Sequence, residues 1–235
     1  MPANSPIVLI DSRLPHPVIN RLNKVAEPIL LDPQPGVYNA ISAHPDIFFC
    51  LVGDILIYSP ILNSTLLDKL RNKGITLLSG TQPPTAKYPG SAIYNAVVTN
   101  NYLIHKSSAV DSTILMLSRQ KDLKSIWVRQ GYTRCSLLPL NNDRFITSDQ
   151  GIQRTLALMG LEVFYYPPID ILLSGFSHGF IGGCGGVCQQ KVFFTGQPQD
   201  KNVRKSMEAF IEKAGMSVEY LSEGRLIDGG SLLFV

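Results

Sequence analysis

Five short apolar strands recur at nearly constant spacing, and this period restricts the fold more than any other feature of the chain. IVLI, ILIY, YLIH, FITS and VFFT are anchored on Val8, Ile55, Tyr102, Phe145 and Val192, in steps of 47, 47, 43 and 47 residues. A fixed period with matching local chemistry marks a repeat architecture. The segment from Gly131 to Tyr166 shows the unit most fully. CSLLPL is an apolar run, Asn141-Asn142-Asp143 is turn chemistry, and FITS is β-branched and aromatic. Asp149 can cap a helix carrying Ile152, Leu156 and Met159 at helical spacing, Gly160 ends it, and LEVFYY is a further strand. The unit is ββαβ.

The other helices are HPVINRLNKVA, STLLDKLRNKG with Asn63 or Ser64 as cap, AVDSTILMLSR, and KNVRKSMEAFIEKAG behind Asp200. The leading strands are IFFCLV, NAVV, CSLLPL and CGGV, and the first unit has none before it. The missing strand is found at the far end. Residues 228–235 (DGGSLLFV) lie over residues 133–140 (TRCSLLPL), with Ser231 on Ser136, so Ser231 to Val235 is expected to pair beside Ile7 to Ile10. Closing a ring with its own ends removes exposed sheet edges. The expected fold is α/β: a five-bladed, pseudo-symmetric α/β-propeller of ββαβ repeats, closed by the C-terminal strand. Residues 33–43, 80–92 and 167–178 read as loops, no composition shift marks a second domain, and residues 1–235 are expected to form one domain.

Composition excludes several classes. The 235 residues are 45% hydrophobic and 17% charged with a formal charge of +3, and the basic residues are scattered, which disfavours nucleic acid as a partner. No apolar run reaches the roughly 20 residues of a membrane helix. MPANSPIVLIDSR has no basic region ahead of its apolar run, so no secretory signal is expected and the cytoplasm is the expected compartment. Four cysteines are too few for a disulfide scaffold in a chain of this length. The sequence leaves the oligomeric state open.

Five ββαβ units closed end to start resemble the pentein fold of guanidino-group-modifying enzymes, which a ribosome anti-association factor shares. The motifs HPDI (44–47), KYP (87–89), GYTRCS (131–136), TSD (147–149), GFIGG (179–183) and LIDGGS (226–231) resemble a bacterial branch of that superfamily, a likeness that supplies a fold but no reaction. In the enzymes, the resemblance implies, a Cys thiolate attacks the guanidinium carbon, a His of a His-x-Asp motif moves protons, and carboxylates hold the cation around the pseudo-five-fold axis. Their nucleophile lies in the C-terminal unit, whereas this chain's C-terminal strand has Gly230 aligned with Cys135 and no Cys. Here the His-x-Asp is His44-Pro45-Asp46, and Cys135 opens the leading strand two units later. Internal symmetry allows such a constellation to be rotated around the ring.

Cys135, His44 and Asp46 are therefore the candidate catalytic residues. A thiol beside Arg134 and near an imidazolium is expected to have a lowered pKa, although Cys is also a common core residue. Pro45 is expected to keep its segment extended, with His44 and Asp46 on one side as proton shuttle and cation-binding carboxylate. Asp228 and Asn95 lead otherwise apolar strands and are candidate substrate-binding groups, as are Arg134, Lys87 in a lid-like loop, and His178 ahead of the fifth leading strand. Asp149 has a structural task as helix cap. The glycine-rich run Gly179 to Gly186 lacks the strand-before, helix-after context of a nucleotide fingerprint. Cys184-x3-Cys188 with His178 fits no common zinc spacing, so no metal and no cofactor is implied. The expected ligand is a small cationic guanidino or amidino compound, acted on by a Cys-dependent hydrolase or amidinotransferase. The alternative is a non-catalytic ring that binds a small ligand or a ribosomal or protein surface.

Overall fold

The computed structural model describes residues 5–235. In chain order, the first unit supplies β1 (Ile7–Asp11), α1 (His16–Leu22) and β2 (Glu27–Leu31). The second begins with a single helical turn, α2 (Pro45–Phe48), and continues as β3 (Phe49–Val52), β4 (Ile55–Tyr58), α3 (Ser64–Asn72) and β5 (Thr76–Ser79). The third is β6 (Val97–Val98), β7 (Tyr102–His105), α4 (Ser112–Gln120) and β8 (Lys124–Trp127). The fourth again opens on one turn, α5 (Thr133–Ser136), before β9 (Leu137–Pro139), β10 (Arg144–Thr147), α6 (Gln150–Ala157) and β11 (Glu162–Tyr165). The fifth is β12 (Gly185–Cys188), β13 (Lys191–Phe194), α7 (Lys201–Glu212) and β14 (Ser217–Tyr220), and β15 (Leu233–Phe234) follows.

These strands form five three-stranded sheets, each with the recurrent strand in the middle. In every unit the leading strand is antiparallel and the third strand parallel to it. The first sheet has the order β15-β1-β2, with Phe234 opposite Val8 and Leu233 opposite Leu9, so the C-terminal strand closes the ring. β3 touches β6, β6 touches β9, β9 touches β12 and β12 touches β15, which places the leading strands innermost, around the axis. No helix among the described residues is long and apolar enough to cross a membrane.

Local chemistry explains where the crossover helices start and stop. Asn63, Asp111, Asp149 and Asp200 each accept a hydrogen bond from a first-turn backbone N–H. Gly74, Gly160 and Gly215 follow α3, α6 and α7 with φ of 81°, 78° and 74°, a left-handed stop that glycine takes without strain.

The core lies between the units rather than inside them. Leu9, Ile29 and Leu31 pack with Phe48, Phe49 and Leu56 across the first junction. Cys50, Val52 and Ile57 meet Leu103 and Ile114 across the second, and Val97, Ile104 and Ile126 meet Leu137 and Phe145 across the third. Leu138 and Ile146 join Val192 and Phe194 across the fourth, and Phe193, Leu221 and Leu232 cover Val8 and Ile10 across the fifth.

The structure corrects one local expectation. HPDI and TRCS are not the extended beginnings of strands. His44 is extended (φ −74°, ψ 119°), as a residue before proline should be, but Pro45 opens a helical turn, where a missing N–H costs nothing. Residues 181–184 make the corresponding 3-10 turn in the fifth unit, so the predicted strand opening at Cys184 is a turn residue instead.

Removing residues 231–235 should expose β1 and open two junctions at once, because Leu232 packs in one core and Leu233 in another. At roughly 25 cal/mol per Å² of apolar area the loss is on the order of several kcal/mol. Chemical denaturation of the truncated chain checks it, and an unchanged midpoint would contradict the closure.

Candidate active site

The turns α2 and α5 point their polar residues at the axis, and Asn95 of the third unit ties them together. Its side-chain oxygen accepts from the backbone N–H groups of Arg134 (2.7 Å) and Cys135 (3.1 Å). Its amide nitrogen donates to the Asp46 carbonyl (3.0 Å) and lies 3.2 Å from the Cys135 sulfur. The Cys135 thiol donates to Asp46 Oδ2 at 3.1 Å. The same oxygen accepts from the Ser231 hydroxyl at 2.7 Å. Units two, three and four and the closing segment thus meet at one carboxylate.

His44 stands beside this group between two further carboxylates. Its Nδ1 is 3.9 Å from Asp228 Oδ1 and its Nε2 is 3.8 Å from Asp11 Oδ2. Asp228 is held by the N–H groups of Phe180 (2.9 Å) and Gly230 (3.1 Å). Burial raises its pKa above the ordinary carboxylate value, with the Asp46 charge adding to the rise and His44 opposing it. Asp11 is gripped by Arg13, whose guanidinium also donates to the carbonyls of Asn39 (2.7 Å) and Ala40 (3.0 Å).

Two hollows flank the group. A pocket of about 800 Å³ is lined by Asp11, Arg13, Tyr38, His44, Phe176 and Asp228, among others, with the Tyr38 and Phe176 rings 5.7 Å apart. A second, of about 240 Å³, runs between the innermost strands of all five units and is lined by Asp46 and Arg134 as well as Leu51, Val98, Leu138, Val187 and Leu233. Cys135 lines neither.

The thiol is not prepared as a nucleophile in this arrangement. Burial pushes its pKa well up, the charges of Asp46 and Asp228 push it further, and Asn95 offsets only part. Arg134 does not help as its position in the sequence predicts, because its guanidinium is turned to the carbonyls of Gly182 (2.9 Å) and Gly185 (3.3 Å).

The structure brings together Cys135, His44, Asp46, Asn95 and Asp228, and places the Arg134 side chain alongside. It does not bring in Lys87 or His178. Lys87 is exposed on a loop whose ordered contacts run through Tyr88, which hydrogen-bonds at Arg129 and Gly131. The His178 ring packs edge-on against Phe180, with Nδ1 at its neighbour's carbonyl. Two groups escaped the sequence reading. Asp11 is a charged residue ending an apolar strand, which was a usable signal. Ser231 aligned with Ser136, but nothing local revealed that it adopts φ 78°, a conformation rare outside glycine and concentrated at functional sites.

A family model described as a family of unknown function, DUF6873, matches residues 9–233. The chain belongs to this family. No curated protein sequence matches it. Among solved structures, DDAH from Pseudomonas aeruginosa, a Cys-to-Ser mutant complexed with citrulline, superposes with a TM-score of 0.54 at 9% identity over 92% of this chain and 91% of that one. ArgZ, a cyanobacterial arginine dihydrolase, gives 0.56 at 9% identity over 92% of this chain, which spans only 36% of ArgZ. ArgZ's N-terminal domain alone, bound to substrate, gives 0.56 at 8% identity and is covered to 90%. SxtG, an amidinotransferase from Microseira wollei, gives 0.54 at 12% identity over 88% and 74% of the two chains. The chain therefore has the pentein fold that these structures share.

Two measurements follow. Iodoacetamide should label half-buried Cys188 first in the native protein, and Cys135 only under strongly alkaline conditions. In Asp46→Asn the Cys135 onset should move to lower pH, because the mutation removes a negative charge from beside the thiolate; each unit gained is about a tenfold larger thiolate fraction. Residue-resolved mass spectrometry reads both. Gly230→Ala should destabilise by about 2 kcal/mol or more in chemical denaturation, since φ is 68° there and an added Cβ would overlap the His44 side chain.

Proposed function

We propose that the protein binds a small guanidino or amidino cation in the larger pocket, with Asp228 as the principal carboxylate and His44 and Asp11 beside it. The observation that carries this reading is the buried Asp228 carboxylate on the wall of a pocket of about 800 Å³, where no Lys or Arg among the described residues is paired with it. Its two oxygens are fixed by backbone N–H groups, which orients them without using a positive charge. A planar guanidinium supplies both the charge and the paired donors that such a carboxylate accepts. Arg13 already neutralises Asp11, so Asp11 is the weaker partner. Among the structural neighbours, DDAH is complexed with citrulline and ArgZ is an arginine dihydrolase, which supports the same ligand class here.

A Cys-dependent hydrolase or amidinotransferase is the second reading. It is favoured by the convergence of one ligand atom each from His44, Asp46 and Cys135 within 4.8 Å of one another. Catalysis in that form requires Cys135 to lose its proton and the ligand to reach past His44. The hydrogen bond to Asp46 opposes the first requirement and the closed turn α5 opposes the second. Binding is the reading the geometry supports better.

Isothermal titration with arginine, agmatine, guanidinoacetate and citrulline tests it. At least one cationic member should bind, and Asp228→Asn should weaken it about 10- to 100-fold, the value of a charged hydrogen bond of ~1.5–3 kcal/mol. Affinity should rise with pH through Asp228's elevated titration, above the ordinary carboxylate range, because a cation binds the ionised form. Release of urea, ammonia or a transferred amidino group on incubation would establish the enzymatic reading instead. Equal affinity in Asp228→Asn, with its melting temperature unchanged, would remove Asp228 from the site.

A further inference from the structure

We propose that His44, Asp46 and Cys135 form a binding site for a transition-metal ion, of which zinc is the best fit. The inference goes beyond the cation pocket, since it concerns Asp46 and Cys135, which do not line that pocket, and needs no guanidino ligand.

The donor set comes first. A ring nitrogen of His44, a carboxylate oxygen of Asp46 and the sulfur of Cys135 all lie within 4.8 Å of one another. In a tetrahedral zinc site with Zn–S near 2.3 Å and Zn–N or Zn–O near 2.0–2.1 Å, ligand atoms stand about 3.5 Å apart. The sulfur and Asp46 Oδ2 are already at 3.1 Å. Modest side-chain rotation closes the triangle. Thiolate, imidazole and carboxylate together suit zinc, whereas magnesium and calcium prefer oxygen alone.

The second observation is independent of the spacing. His44 Nδ1 and Asp46 Oδ1 are out of solvent and make no hydrogen bond among the described residues, while both side chains are almost wholly buried. Buried polar atoms are usually satisfied, so two unsatisfied ones in adjacent members of one cluster ask for a shared partner. A cation bound between them would answer both at once. Charge agrees. The buried thiol faces the carboxylates of Asp46 and Asp228, an arrangement that is electrostatically poor without a cation and favourable around one.

Binding replaces a proton. The Cys135 S–H bond breaks, its proton passes to solvent, and the sulfur lone pair forms the metal bond. The 2+ ion with one thiolate, one carboxylate and a neutral imidazole is then a site of zero net charge. Three protein ligands leave a fourth position, as in sites that keep a water or a ligand on the metal. His44 also lines the larger pocket, which gives the ion a route in.

The test uses the intact protein, stripped with EDTA and dialysed. Titration with Co²⁺ should give a sulfur-to-cobalt charge-transfer band saturating at one ion per chain, which Zn²⁺ abolishes by competition. Calorimetry in buffers of different ionisation enthalpy should show about one proton released per zinc ion at neutral pH. Cys135→Ser should remove the band and weaken zinc at least 100-fold, and Asp46→Asn should weaken it about 10-fold or more. Cys188→Ser should leave the band intact. X-ray absorption of the zinc-loaded wild type, which needs no variant to fold, should fit one sulfur near 2.3 Å with nitrogen and oxygen neighbours. No uptake of Co²⁺ or Zn²⁺, a sulfur-free first shell, or a charge-transfer band that survives Cys135→Ser would each overturn the proposal.

Discussion

Each central strand serves two cores at once, and the ring depends on it. Along β1, Val8 and Ile10 face the fifth unit while Leu9 faces the second. The same division recurs at Leu56 and Ile57, at Leu103 and Ile104, and at Phe145 and Ile146. Successive side chains of a strand point to opposite faces, so a strand inserted between two neighbours must be apolar on both. No unit can bury its own strands alone. The fifth junction exists only if the last unit meets the first, and β15 contributes to the cores on both sides of β1. An open arc of five units would leave two large apolar faces in water, which is a physical reason for closure in addition to strand pairing.

That division also explains what the amino-acid sequence disclosed. Continuous apolar runs such as VFFT and ILIY, followed by Asp or Asn caps, are the direct imprint of doubly buried strands and capped crossovers. The period could be read because the constraint acts on every unit. The turns α2 and α5 could not be read so easily. Pro45 is compatible with an extended segment and with a helix start alike, and the choice is made by Asp46 N–H bonding the Gly230 carbonyl nearly the whole chain away. The Cys135 environment is hidden from the sequence for a related reason. Its sequence neighbour Arg134 suggested a positive surrounding, whereas the charges that govern the thiol come from Asp46 and Asp228 in other units. Burial and through-space charge are properties of the assembled ring.

Polar side chains gather on the axis because geometry leaves little else that fits. Five units converge there, and close approach is possible only where side chains are small. A Cβ on Gly182 would run into the backbone carbonyl of Arg134, and one on Gly183 into the Asp228 carboxylate. The room so created is filled by backbone amides and short polar groups: Asn95 bridges three units, and Asp46 collects the Cys135 and Ser231 protons. Buried hydrogen bonds that run from unit to unit specify the mutual orientation of the units more sharply than apolar packing does. The same fixed dipoles and carboxylates are what a site needs before any ligand arrives.

The bond from Ser231 to Asp46 joins residues 185 positions apart. Contacts of such separation are slow to form, because the intervening chain must first lose its freedom. A chain emerging from the ribosome carries His44 and Asp46 long before it carries Asp228 and Ser231, and its early units can dock pairwise while the axis is still unfinished. The carboxylate cluster is therefore complete only when residues 228–231 have joined the second unit. Whatever this protein recognises there, it can recognise only once the circle is whole, so occupancy of the site is also a certificate of completed folding.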